Sequence, residues 1–178
     1  SIMTYGEDAM RIKKITPQVL TWELDGGFRN PIMTWTHKTV VLVFVVCDDG
    51  TVGVGECWAS GAEPSALVAT LEDDVSPRLI GKDPLAIGAN WSEIDGLSQI
   101  SARQGILRAA LAGIDIALWD ILGKAAGLPV WRLLGGFSDR VFPYASAGLY
   151  APGKTPADQG AEMAGYVAKG FTGVKMKV

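Results

Sequence analysis

The chain has 178 residues, 48% of them apolar, with 19 acidic and 16 basic side chains and a formal net charge of -3. That length is enough to bury a sizeable core, and the balanced charge excludes the polar, highly charged composition of a disordered chain and the basic excess of a general nucleic-acid binder. The longest uninterrupted apolar run, Val40 to Cys47, falls well short of the roughly twenty residues a membrane-crossing helix needs.

In chain order, Ser1 to Asp8 shows neither the basic nor the apolar segment of a signal peptide. Ile15 to Leu24 reads as a first strand, rich in β-formers, with Pro17 near its start where proline is tolerated. His37 is the only histidine, which removes a multi-histidine zinc site within this chain and is read as a half-exposed residue at a loop end. Thr39 to Cys47 reads as a second strand, apolar on both faces. Asp48-Asp49-Gly50-Thr51 supplies an Asp-Gly hairpin turn, and Val52 to Cys57 returns as a third strand. A two-residue Asp49-Gly50 loop places Cys47 opposite Val52 and Cys57 opposite Leu42, too far out of register for a disulfide. Two cysteines suggest no disulfide framework, so a reduced, cytoplasmic protein is expected. Gly53 and Gly55 share one face of the third strand and invite close packing against its backbone.

The middle of the chain is helical. Ser65 reads as an N-cap and Ala66 to Ile80 as a helix that Pro77 bends or ends; Glu72-Asp73-Asp74 is its solvated face. Pro84 opens a helix to about Gln99. Ala102 to Ala126 reads as the longest helix, stopped by Gly127-Leu128-Pro129 and apolar almost all round, as a sandwiched helix is. Asp115 and Asp120, five apart, share no helix face; Asp120 pairs with Lys124 at i+4. Arg140 to Leu149 then reads as a strand, Pro156 to Lys169 as a helix closed by Gly170, and Gly173 to Val178 as a second strand, a βα unit feeding a parallel neighbour. An α+β module over 1–138 is therefore expected, followed over 139–178 by the start of a parallel α/β domain.

Lys175-Met176-Lys177 carries the sharpest chemical signal. Residues i and i+2 of a strand share a face, so the two ammonium groups project together. A like charge nearby disfavours the protonated form, and a lysine brought toward neutrality is a usable general base. The other reading of this tripeptide is a solvated edge strand that discourages aggregation.

The long helix contains Ala109-x-x-Ala112-Gly113-Ile114-Asp115-x-Ala117-Leu118-x-Asp120-Ile121-x-Gly123-Lys124, followed by Gly127-Leu128-Pro129 and Leu133-Leu134-Gly135-Gly136. This closely resembles the signature of the mandelate racemase/muconate lactonizing enzyme family of the enolase superfamily. The resemblance extends in order from the Gly53-Val54-Gly55-Glu56 hairpin end to the Lys-x-Lys motif. It implies an α+β capping domain, a three-stranded antiparallel sheet plus helices, followed by the start of a (β/α) TIM-type barrel. It implies a Mg2+-dependent enzyme that removes the α-proton of a small-molecule carboxylate substrate, a homo-oligomer with neither nucleic-acid nor membrane partners. Lys177 takes the place of the base and Lys175 that of the group that holds the substrate carboxylate and tunes its neighbour. Ser146, late in the first barrel strand, matches a carboxylate contact; its other reading is a barrel-lining serine bonded to backbone.

Two capping-domain loops close the barrel mouth in such proteins. By position they are Asp25 to Lys38 and Trp58 to Pro64, which makes Arg29, Trp35 and Trp58 substrate-contact candidates, with Phe28 and Met33 as apolar neighbours. A full barrel takes about 250 residues. The three carboxylates that hold Mg2+ and the second acid/base group are therefore expected beyond residue 178, Val178 is not expected to be a natural end, and the segment alone is expected to be inactive. Dehydration of an acid sugar is the leading activity, with mandelate-type racemisation or cycloisomerisation as alternatives. A non-catalytic capping or assembly module is the rival from another class; Lys175 and Lys177 argue against it.

Overall fold

The computed structural model describes residues 9–59, 64–101 and 104–177. Its elements are β1 (Ile12–Arg29), β2 (Thr34–Cys47), β3 (Val52–Cys57), α1 (Pro64–Ala69), a wide π-type segment (Thr70–Val75), α2 (Ser76–Leu79), α3 (Ile87–Ser101), α4 (Gln104–Ala126), α5 (Val130–Leu133), β4 (Ala145–Ser146), α6 (Pro156–Ala168) and β5 (Val174–Lys175). The first three strands form a sheet in the order β1-β2-β3, and β4 pairs with β5. The described residues group into two compact units, those within 1–20 and 39–137 and those within 21–38 and 138–178.

In the first unit β2 and β3 are antiparallel, with Val46 opposite Val52 and Val41 opposite Cys57. The register is thus one residue away from that of a two-residue turn. The loop holds three residues, Asp48, Asp49 and Gly50, closed by the Cys47 N–H donating to the Thr51 carbonyl at 2.8 Å. Gly50 at φ 89 supplies the left-handed residue such a loop requires. Cys47 and Cys57 are buried free thiols.

Helix α4 packs on β3 through glycine. A Cβ on Gly53 would stand 2.1 Å from the Ala117 carbonyl oxygen, and one on Gly113 would stand 2.2 Å from Cys57 Sγ. The expected close approach to β3 is made by this helix. Val41, Val43 and Val45 of β2 and Ile114, Leu118 and Ile121 of α4 are fully buried in the same core. Asp120 secures the packing by accepting from the Val54 N–H at 2.9 Å. Lys124 bonds Asp120 at 2.7 Å and the Val52 carbonyl at 2.6 Å, the anticipated i+4 pair. Asp115 is half-buried, and desolvation raises its carboxyl pKa.

Four helical expectations change, the first being that the helix expected to open at Pro84 begins at Ile87. The first helix already includes Pro64 and Ser65, so Ser65 is not its cap; proline is pre-shaped for a first helical turn. Pro77 acts through the π-type segment before it, where the Ser76 N–H reaches back to the Leu71 carbonyl. The proline ring would crowd the Asp73 carbonyl of a regular α-helix, and the widened turn relieves this. Helix α4 is not sandwiched all round, since Ile116 is 49% exposed. Residues 102 and 103, expected to open this helix, lie outside the described residues.

In the second unit β4 and β5 are parallel, with Ala145 opposite Val174 and Ser146 opposite Lys175. Both strands are much shorter than expected. Pro143 has no N–H to give a ladder, and Gly148, at φ 68, turns the chain out of it. Helix α6 begins with a reciprocal cap. The Asp158 N–H donates to Thr155 Oγ1 at 3.2 Å, and the Thr155 N–H donates to Asp158 Oδ2 at 2.8 Å. Val178 lies outside the described residues.

Candidate functional site

The parallel register puts Ser146 and Lys175 side by side, both exposed. Lys177 lies two residues beyond Lys175, past the end of β5, and is half-buried. All three sit at the C-terminal ends of parallel strands, the end at which barrel enzymes carry their chemistry.

The chain segment after Ser146 is clamped by groups the sequence did not single out. Gln159, 9% exposed on α6, donates from Nε2 to the Gly148 carbonyl at 2.7 Å and to the Lys177 carbonyl at 3.1 Å. Glu162 accepts from the Gly148 N–H at 3.3 Å and is ion-paired to Lys154. Lys154 also donates to the Leu149 carbonyl at 2.9 Å. The hydrogen bond from Lys154, helped by that from Gly148, holds the Glu162 carboxyl below the usual glutamate range against the opposing effect of burial. Position 148 admits only glycine: besides its φ, a Cβ there would stand 2.7 Å from Met176 Cβ. The capping box of Thr155 and Asp158 was available in the sequence as Thr-x-x-Asp, but its consequence for Gln159, one residue on, depends on where α6 docks.

The Asp25–Lys38 segment differs from expectation. It is mostly strand, because β1 runs to Arg29 and β2 restarts at Thr34. Gly26 and Gly27, at φ 70 and 68, are kinks within β1 rather than a slack loop. The tip is a tight turn in which Asn30 Oδ1 accepts from the Ile32 and Met33 N–H groups at 2.8 and 2.7 Å. Arg29 pairs with Tyr150 by two backbone bonds, 2.9 Å from its N–H and 3.0 Å to its carbonyl. Its guanidinium carbon lies 6.0 Å from the Tyr150 ring centre. A cavity of about 350 Å³ is lined there by Phe28, Arg29, Thr34, Tyr150 and Pro152. It offers apolar walls and one cation, a combination suited to a small acid. Trp35 is half-buried in the same hairpin. His37 is exposed on β2, bonded through Nδ1 to Thr36 Oγ1 at 2.8 Å.

Trp58 belongs to the first unit, where it is 68% exposed and lines a cavity of about 150 Å³ with Leu67, Ile106 and Ala109. Residues 60–63 of its loop lie outside the described residues. Among the described residues no group of three or more His, Cys, Asp or Glu is arranged to hold a metal ion, and no helix is long and apolar enough to cross a membrane.

This arrangement has known relatives. D-galactarolactone cycloisomerase of Agrobacterium fabrum is 36% identical over 171 residues, covering 95% of this chain and 44% of that protein. Arabinonate dehydratase of Saccharolobus solfataricus is 36% identical over 139 residues, covering 78% of this chain and 37% of that protein. The crystal structure of an enolase-superfamily member from a Polaromonas species superposes with a TM-score of 0.84 at 29% identity, covering 94% of this chain and 44% of that one. The chain thus spans less than half the length of these relatives. Residues 11–135 match the profile of the mandelate racemase/muconate lactonizing enzyme N-terminal domain. With the three-stranded antiparallel sheet and its glycine-packed helix, this shows that the chain belongs to the mandelate racemase/muconate lactonizing enzyme family.

Proposed function

We propose that this segment is part of an enzyme that removes the α-proton of a sugar acid and eliminates water from it. The observation that carries the reading is the Ser146–Lys175 register with Lys177 two residues on, at the C-terminal ends of adjoining parallel strands. Lys177 Nζ takes the α-proton. The electron pair left on the α-carbon spreads into the carboxylate. The Lys175 ammonium and the Ser146 hydroxyl donate to the carboxylate oxygens as that charge grows, which favours the transition state over the ground state. Collapse of the enediolate then expels the β-hydroxyl, which leaves as water with a proton from the second acid/base group expected outside this segment, and the Lys177 ammonium returns its proton to solvent. Arg29 and Trp35 contact the substrate, and Arg29 supplies the cation for a second acidic or polar end. In this reading 1–138 is a capping-type domain and 139–178 is the start of a barrel.

Enolase-superfamily members generally use Mg2+. The described residues do not fit such an ion by themselves, and no step above is routed through it. Small acids are the expected partners, in a homo-oligomeric cytoplasmic enzyme. Cycloisomerisation is the second reading, favoured by the A. fabrum relative that matches 95% of the chain; it uses the same proton abstraction.

The test is exchange of the α-hydrogen of D-galactonate, D-arabinonate and D-mannonate with D2O by the full-length protein, read as its loss to solvent in the 2-keto-3-deoxy product or as deuterium in recovered acid. Wild type should exchange at least one acid, and Lys177→Ala should abolish that exchange. Exchange at the wild-type rate in Lys177→Ala removes the base assignment. No exchange of any acid by wild type favours a non-catalytic capping module.

A further inference from the structure

We infer that Gln159 is a positioning residue for Lys177, holding the backbone from which the base projects; this rests on the reading of Lys177 as the base. In a regular parallel ladder the Lys177 N–H would be received by the Ala147 carbonyl, continuing the pattern in which Ala147 N–H donates to Lys175 at 2.9 Å. Gly148 breaks the pattern. Its left-handed φ of 68 turns its own carbonyl toward Lys177, and the resulting N–H contact of 3.4 Å is long for a hydrogen bond. The sheet therefore stops securing the chain just before the residue that needs the most accurate placement.

Gln159 takes over at that point. A primary amide carries two N–H donors on one nitrogen. Gln159 uses this nitrogen to join the Gly148 carbonyl at 2.7 Å to the Lys177 carbonyl at 3.1 Å. The amide is itself held. Gln159 is nine-tenths buried, and its backbone N–H donates to the Thr155 carbonyl at 3.1 Å in the first turn of α6. The Thr155–Asp158 cap and Pro156 fix that turn. The rigid end of α6 is thus coupled through one side chain to the backbone of Lys177. A methionine would fill the same space without the donors. An ionised glutamate would keep the shape and present only acceptors to two carbonyls.

The experiment compares wild type, Gln159→Met, Gln159→Glu and Lys177→Ala in the full-length protein, following loss to solvent of the α-hydrogen of D-galactonate, D-arabinonate and D-mannonate. A displacement on the order of 1 Å at a reacting group costs roughly 100-fold in rate. Both Gln159 variants are therefore expected to lose about 10- to 100-fold in kcat while KM stays within about threefold. Wild-type kcat in a folded Gln159→Met or Gln159→Glu, with Lys177→Ala inactive, overturns the role of Gln159 and leaves the base reading intact. A kcat loss that only tracks the unfolded fraction, seen by circular dichroism, also overturns it and assigns Gln159 to folding. Exchange retained by Lys177→Ala, or absent from wild type, overturns the base reading and this role with it.

Discussion

Gly55 of β3 and Gly113 of α4 are in backbone contact, so close that a Cβ on Gly55 would stand 1.9 Å from the Gly113 carbonyl oxygen. Helix and sheet meet here with no side chain between them, which makes this the least forgiving point of the first unit. Gly55→Ala must push the helix off the sheet, and overpacking of this kind costs about 1–3 kcal/mol or more. Gly96→Ala is the control, because nothing lies within 4 Å of a Cβ there and alanine gains roughly 0.5–1 kcal/mol over glycine in a helix interior. Denaturant unfolding should show opposite signs for the two variants. Equal stability would mean that the contact relaxes without cost.

Acid should loosen the second unit through Glu162. Its carboxyl pKa lies below the ordinary value of 4.5, chiefly because of the hydrogen bond from Lys154. A depressed folded-state pKa contributes stability that is present above the ordinary value and is lost as pH falls through the folded one. Protection of the 145–149 segment against hydrogen exchange, relative to the intrinsic rate at each pH, should therefore fall below about pH 4.5. In Glu162→Gln it should already be lower at neutral pH, with less change on acidification. An identical pH response in wild type and variant would exclude Glu162 as the titrating group.

The two cysteines should be inert in the native protein. Burial is the main cause that pushes both thiols up to about 11, with nearby Asp49 and Asp48 adding to it at Cys47. The thiolate is the reactive form, so at pH 8 a disulfide reagent should label neither until the chain is unfolded. Peptide mapping after brief labelling checks this, and rapid native modification of Cys57 would show that β3 opens readily. The linkage runs opposite to that of Glu162: stability from keeping these thiols neutral is present below 9.0 and is lost as pH rises toward about 11.

The β1–β2 tip should govern substrate choice. Arg29 holds Tyr150 through backbone bonds that survive side-chain replacement, so Arg29→Ala removes the guanidinium without removing the bridge. Arg29→Ala with Trp35→Ala should shift the ratio of kcat/KM between D-galactonate and D-arabinonate by about tenfold, the effect of one lost contact near 1.4 kcal/mol. The melting temperature should change little. An unchanged ratio with a lowered melting temperature would assign both residues to packing.

Much of the first unit was legible in the residues. Strand β3 was read with its observed bounds, and Gly53 and Gly55 announced the close partner, because a missing Cβ is a local property with a simple spatial consequence. The i+4 pairing of Asp120 with Lys124 follows from helical geometry alone. Legibility failed where one residue's conformation depends on a distant one. The Asp48–Gly50 turn shifted the hairpin by one position, since turn length is decided jointly by turn and strand energies. Arg29 and Thr34 are strand residues rather than loop, because the hairpin extends past the point where propensity alone would end it.

The same division holds at the candidate site. Lys175 and Lys177 are candidates by motif and strand periodicity, which need only neighbouring residues. The Ser146–Lys175 register, the turn of Gly148 out of the ladder, and the hand-over to Gln159 exist only once α6 has docked beside β5. Composition and pattern thus determined which elements form and which side chains carry charge. Tertiary structure decided where each strand stops and what holds the chain beyond it, because hydrogen bonds between residues far apart in sequence form only after the elements that carry them have packed.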